Sequence, residues 1–197
     1  WLPLSVPWVD FEPTIEALYA SGEILKALDE SSASETIRAL KAAGVESVAV
    51  CLLHSYANSV HEERLGQLLH QQFPEAYVSL SHEILREFRE YERTSTTVLN
   101  SYVGPIVSRY LVSLEKMLGD SGFRGTFRVM QSNGGVMSAE IAKKMPVTMM
   151  ESGPVAGVIA AADVGELLGC HHIISFDMGG TTAKASLIKD FHPEVTS

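Results

Sequence analysis

Two short apolar runs, SVAVCLL (47–53) and AYVSLS (76–81), flank the segment HEERLGQLLHQQF (61–73). Leu65, Leu68, Leu69 and Phe73 recur at the spacing of one helical face, and Pro74 stops the helix. Two strands joined through a helix by short connections pair in parallel, because an antiparallel hairpin needs no crossover. That pattern commits the chain to an α/β fold, and the unbroken apolar character of 47–53 predicts a strand covered on both faces.

The neighbouring segments follow the same alternation. Ser21-Gly22 within YASGEIL (19–25) predicts a hairpin. In SSASETIRALKAAGV, Ser34 is the expected helix cap, Ile37 and Leu40 face inward, and Gly44 ends the helix. Helical spacing resumes from Tyr91 to about Leu118, with Gly104-Pro105 expected to break or kink it. GTFRVMQS (125–132) predicts a strand that turns at Asn133-Gly134-Gly135. Ser138 then caps a short helix closed by Met145-Pro146, and VTMM (147–150) suits a further short strand. A helix from Pro154 to about Leu168 precedes a last strand–turn–strand. The stretch REFREYERTSTT (86–97) predicts a solvated helix start, with Arg93 and Asn133 the weak candidates for contact with a substrate that the sequence leaves unknown.

Composition narrows the class. A 46% hydrophobic content over 197 residues is enough for a core, and no apolar stretch is long enough to span a bilayer. The net charge of −9, with lysines and arginines scattered, argues against nucleic acid as a partner. Cys51 and Cys170 are the only cysteines; both are expected to be buried free thiols, which fits a cytoplasmic location. A chain that opens on Trp1 is expected to be an excerpt of a longer polypeptide.

The strongest chemical signal is ISFDMGGTTAKASLI (174–188). A buried strand would deliver Asp177 to its C-terminal end, where ligands gather in α/β sheets. Gly179 and Gly180 leave backbone N–H groups uncovered, and Thr181 and Thr182 add hydroxyl donors, so the turn suits a phosphate. Asp177 would be repelled by that phosphate and suits a hydrated Mg²⁺ beside it. The competing reading is a plain hairpin in which Gly-Gly only makes the turn. A second signal is ESGPVAGVIAAADVGELLG (151–169), where Ser152-Gly153-Pro154 starts a helix whose free N–H groups can face an anion. Glu151 could orient a water or metal there, and Gly157, Ala160, Ala161 and Gly165 form a smooth face suited to tight packing or a hinge. Metal-binding histidine patterns are absent: Leu65 stands where a zinc-protease helix needs its second histidine after His61-Glu62, and adjacent His171-His172 on a strand point opposite ways. His54 and His82 each follow a predicted strand, a site-like position, although a satisfied surface or core histidine is the expected outcome. The Walker lysine loop, the dinucleotide fingerprint and a nucleophile elbow are also absent.

Taken together, VAVCLLHSYANSVHEERLGQLL, SHEILREFREYERTSTTVLNSYV, MQSNGGVMS, ESGPVAGVIAAADVGELLG and FDMGGTTAKASLI closely resemble the hydantoinase A / oxoprolinase family, over about residues 20 to 190. The resemblance implies an ATP-dependent enzyme that opens a cyclic amide, with ATP and Mg²⁺ required. It also implies a ribonuclease-H-like ATPase lobe with a mixed sheet and flanking helices, plus the start of a second similar lobe, as in the actin, sugar-kinase and chaperone ATPases. On that basis residues 1–150 belong to the N-terminal lobe, 151–169 form the connecting helix, and 170–197 hold the first hairpin of the next lobe. Asp177 would be the catalytic and Mg²⁺-linked residue. Gly179, Gly180, Thr181, Thr182, Lys184, Ser152 and Gly153 would bind the cofactor. Lys184 stands where chaperone ATPases carry an aspartate, so that aspartate's metal-linked role is not carried over. A hydantoinase B-type subunit or domain, in a homo- or hetero-oligomer, is the implied partner. Related sequences serve as ATP-binding subunits of ketone carboxylases, and a non-catalytic partner-binding lobe is the remaining alternative.

Overall fold

The structure is a computed structural model that describes residues 16–194. It divides into two compact units, one ending at Pro105 and the other beginning at Ile106.

The first unit is built on the expected crossover. Strands β3 (Ser47–Val50) and β4 (Tyr77–Leu80) pair in parallel, with Ser47 opposite Tyr77 and Val50 opposite Leu80. They are preceded by a short antiparallel hairpin, β1 (Ala17–Leu18) and β2 (Ile24–Lys26), whose turn uses Gly22 at a φ of 86°. Between β3 and β4 the chain forms α2 (Val60–Gln72), before β3 it forms α1 (Glu30–Ala42), and directly after β4 comes the single turn α3 (Ser81–Ile84). Ala33 and Ile37 of α1 meet Leu65, Leu68 and Leu69 of α2, with Phe73 and Ala76 completing the core against Val48, Val50 and Val78. The helix-periodic and strand-periodic apolar positions thus bury one another, which is what drives such layers together.

Several boundaries differ from expectation, each for a local reason. The cap of α1 is Asp29, not Ser34: its carboxylate accepts from the Ser31 and Ser32 N–H groups. Those hydrogen bonds, the Ser32 backbone first and its hydroxyl next, hold the Asp29 carboxyl below the usual range. Strand β3 is shorter than 47–53 and covered on one side only; Ala49 is exposed while Val48 and Val50 face the core. Its partner β4 is covered on both faces. Gly66 of α2 lies against Leu80, and Asn100 Nδ2 donates to Ser79 Oγ at 2.9 Å from the long helix α4 (Glu90–Asp120). Gly104 explains the close approach of α4, because a Cβ there would lie 2.2 Å from the Tyr77 ring. Pro105 does not break α4, which runs on for 31 residues. A proline removes one backbone hydrogen bond from a helix, and the remainder of this long helix sustains the geometry.

The second unit holds a hairpin, β5 (Arg128–Met130) and β6 (Val136–Ser138), turning at Gly134 with φ at 86°. Ser138 Oγ accepts from the Ile141 N–H and caps α5 (Ala139–Lys144) as expected. Residues Pro146–Met149 form a 3₁₀ turn where a strand was expected. Pro146 presets the helical φ at its first position, and Thr148 satisfies its hydroxyl locally on the Met145 carbonyl. Leu111, Val129, Met137 and Ala142 form the core of this part. Helix α6 (Ser152–Leu168) follows, then β7 (His172–Met178), β8 (Ala183–Lys189) and the short β9 (His192–Pro193) in one antiparallel sheet. No sheet among the described residues exceeds three strands. Both cysteines are free; Cys51 is half-buried, but Cys170 is exposed rather than buried because it lies in the joint between α6 and β7. Among the described residues no helix is long and apolar enough to cross a membrane.

Candidate functional site

In the second unit, the β7–β8 hairpin sorts its residues by face. Ile173 pairs with Ile188, Ser175 with Ser186 and Asp177 with Lys184, so one face grades from apolar at the base to charged at the tip. Ile188 is buried, and Gly165 of α6 packs so closely that a Cβ would lie 2.0 Å from Ile173 Cδ1. This clamps the base of the hairpin to α6 and leaves its tip exposed. The tip is the four-residue loop Gly179–Thr182, closed by the Gly179 N–H donating to the Thr182 carbonyl at 3.0 Å. Nothing lies within 4 Å of where a Cβ would stand on Gly179 or Gly180, so the loop presents its backbone to open space.

Lys184 is ion-paired with Glu151, the residue immediately before α6. This links the hairpin to the helix start that bears Ser152 and Gly153. The turn at Gly134 reaches the same helix, where a Cβ on Gly134 would lie 3.0 Å from Ile159 Cδ1. Asn133 is exposed in this turn and its side-chain oxygen accepts from the Gly135 N–H at 2.8 Å. The smooth face expected along α6 is only partly used: Gly165 is buried and Ala161 half-buried, whereas Gly157 and Ala160 are exposed.

The residues at the hairpin tip suit a nucleotide phosphate. The loop carries uncovered backbone at Gly179 and Gly180 and the hydroxyls of Thr181 and Thr182, while the Lys184 ammonium on the adjoining strand is engaged by Glu151. Among the described residues no three His, Cys, Asp or Glu side chains cluster to hold a metal. Asp177 is exposed at the end of β7; a single carboxylate of this kind is compatible with Mg²⁺, which keeps several waters and binds through one or two carboxylates plus phosphate oxygens.

The first unit contains a polar cluster that the periodicity of the sequence does not announce. Arg93, expected in a solvated helix start, is fully buried. Its Nη1 donates to the Leu52 carbonyl at 2.8 Å, to Ser81 Oγ at 2.9 Å and to Ser55 Oγ. Glu62, also fully buried, accepts from the Leu52 N–H at 2.8 Å, Ser81 Oγ at 2.7 Å, and the N–H and Nδ1 of His82 at 3.0 and 2.8 Å. His82 is thus a satisfied core histidine. The one sequence sign of this cluster was Glu62 itself, which shares the helical face of Leu65 and Leu69.

The hydantoinase/oxoprolinase profile matches residues 93–197, and the profile of the hydantoinase/oxoprolinase N-terminal region matches residues 10–73. The chain belongs to the hydantoinase/oxoprolinase family. It is 42% identical over 182 residues to an uncharacterized protein of Methanocaldococcus jannaschii, covering 92% of this chain and 27% of that protein. It is 31% identical to the caprolactamase subunit alpha of Pseudomonas jessenii, covering 87% of this chain and 25% of the relative. A nucleotide-free acetone carboxylase, solved in a study of ATP-dependent acetone carboxylation, superposes with a TM-score of 0.78 at 30% identity. That match covers 91% of this chain and 26% of the solved one. The chain therefore spans about a quarter of the length of these relatives.

Proposed function

We propose that the chain is the part of an ATP-dependent cyclic amide hydrolase that grips the nucleotide phosphates. The observation that carries this reading is the exposed Gly179–Thr182 loop, flanked by Asp177 and Lys184 and tied to the start of α6 through Glu151, in a chain of this family. ATP, when bound, would supply the phosphoryl group that activates the ring's amide carbonyl toward attack by water, with the ring nitrogen then leaving as the amine.

The residues of this chain do the holding. The backbone of Gly179 and Gly180 and the hydroxyls of Thr181 and Thr182 bind phosphate oxygens. Lys184 offsets negative charge from the adjacent strand, and Asp177 holds hydrated Mg²⁺. Ser152 and Gly153 add the N–H groups of a helix start, which favour an anion. Residues 151–169 serve as the helix between two ribonuclease-H-like lobes, with 1–150 in the first and 170–197 opening the second. A second subunit or domain of the hydantoinase B type completes the enzyme in the cytoplasm.

A second reading, an ATP-binding subunit of a ketone carboxylase, draws support from the acetone carboxylase superposition. Measurements on the full-length protein separate the two. ADP release stimulated by hydantoin or 5-oxoproline supports the hydrolase, and stimulation by a ketone with bicarbonate supports the carboxylase. Absence of nucleotide binding in calorimetry overturns both and leaves a non-catalytic partner-binding lobe.

A further inference from the structure

Two anchors fix the place of Glu151 on the hairpin. Gly165 of α6 packs against Ile173 at the base, and Glu151 meets Lys184 next to the tip. Between those anchors the helix advances ~21 Å, whereas the strand advances ~14 Å from Ile173 to Asp177, the residue opposite Lys184. The start of α6 therefore lies level with the Asp177–Lys184 pair or beyond it, on the side of the Gly179–Thr182 loop.

The Glu151 side chain does not serve the helix it precedes. Its backbone has a φ of 64°, in the region that favours glycine and strains other residues. A helix start attracts a carboxylate, yet the side chain of Glu151 caps none of the N–H groups of α6. The start of the helix is open as well, since a Cβ on Gly153 would meet nothing within 4 Å. Glu151 engages Lys184 instead, and the pair lies at the surface, with the two side chains 68% and 39% exposed. Such a pair is weak and screened by salt, so a stronger anion displaces the carboxylate readily.

We infer that Glu151 competes with the nucleotide phosphates for the Lys184 ammonium, and that nucleotide binding exchanges one anion for the other. A triphosphate brings several negative charges against the single charge of Glu151, so the exchange runs toward the nucleotide. An anion of one charge gains little over the carboxylate it must displace. Glu151 thereby sets a threshold that favours polyphosphates at the loop. The inference rests on the phosphate-loop reading and adds to it the regulation of that site.

Calorimetry on the full-length protein tests this with a non-hydrolysable ATP analogue and Mg²⁺. Glu151→Gln, which keeps the shape and removes the charge, is expected to tighten binding about two- to fivefold, the worth of one exposed ion pair. In the Lys184→Ala background the same substitution is expected to leave the Kd unchanged, because the group competed for is gone. Glu151→Gly, which suits a φ of 64°, is expected to tighten binding to the same extent and keeps the test valid if the glutamine variant does not fold. Unchanged or weaker binding on removing the charge overturns the inference and leaves the pair as a staple between helix and hairpin. Equal tightening with and without Lys184 also overturns it, since Glu151 would then act by repulsion alone. A wild-type protein that binds the analogue while the Glu151 variants bind it equally well refutes only the competition; a wild-type protein that binds none overturns the phosphate-loop reading with it.

Discussion

Lys184 on β8 is ion-paired with Glu151, and Glu151 enters α6 from the left-handed region, at a φ of 64°. An ordinary side chain in that region costs about 1–3 kcal/mol, and an exposed ion pair returns only ~0–1 kcal/mol. The pair therefore does not compensate for the strained start of the helix. Its consequence is positional: it sets an ammonium beside the loop that is proposed to bind phosphate.

Lys184→Ala is accordingly expected to shift the unfolding free energy by less than about 1 kcal/mol, since the pair is exposed. It should raise the KM for ATP about tenfold, the worth of one charge-assisted contact. Urea unfolding and steady-state ATP hydrolysis of the full-length protein check the two halves. A variant with an unchanged KM separates Lys184 from phosphate binding.

Asp177→Ala should lower Mg-ATP hydrolysis by on the order of 100-fold or more, as loss of a group that stabilises charge in the reaction does. Asp177 is exposed at the end of β7, so the circular dichroism spectrum and thermal midpoint should barely move. Hydrolysis at the wild-type rate would remove Asp177 from the site.

Glu62→Ala should behave in the opposite way, as a stability variant. It strips the acceptor from the Leu52 N–H, Ser81 and His82 and leaves Arg93 as an uncompensated buried cation. Breaking a buried charged network in this way costs about 3–5 kcal/mol. A shift in the urea midpoint corresponding to less than ~1 kcal/mol would show that the cluster is solvated in solution.

Gly104→Ala tests the contact between α4 and β4. Alanine is the better helix former by about 1 kcal/mol, yet its methyl would stand 2.2 Å from the Tyr77 ring. Overpacking of this kind costs about 1–3 kcal/mol, so net destabilisation is expected. Tyr77→Ala combined with Gly104→Ala should recover part of the loss, which a thermal melt of the double variant reads directly.

Tyr77 also supplies a pH signature. Burial pushes its phenol up to about 12, against an opposing hydrogen bond from Asn100. The fold favours the protonated phenol, so this contribution is complete below pH 10 and is lost as the pH rises toward 12. Tyr77→Phe should make the pH dependence of stability shallower in that window, measured as the difference between variant and wild type. Identical profiles would mean that the phenol ionises as freely as in the unfolded chain.

The order of elements was legible in the sequence because it follows from local physics. Helix spacing in 61–73, a breaker at Pro74 and the Gly134 and Gly179-Gly180 turns depend on near neighbours, and the βαβ crossover is their joint consequence. The hairpin that carries Asp177 and Lys184 was legible for the same reason, since its register follows from strands only a short loop apart.

What only the tertiary structure decided are the matters set by residues distant in the chain. Ser34 and Asp29 are both good caps, and the frame of α1 against α2 selected Asp29. Pro105 should interrupt a helix, yet α4 runs through it, with Gly104 close against Tyr77. A run of charges around Arg93 suggested solvent, but Ser55, Ser81 and Leu52 arrive from the ends of two strands and enclose it. Burial of a charge is a many-body outcome: it depends on which acceptors converge in space, and no local pattern encodes that convergence.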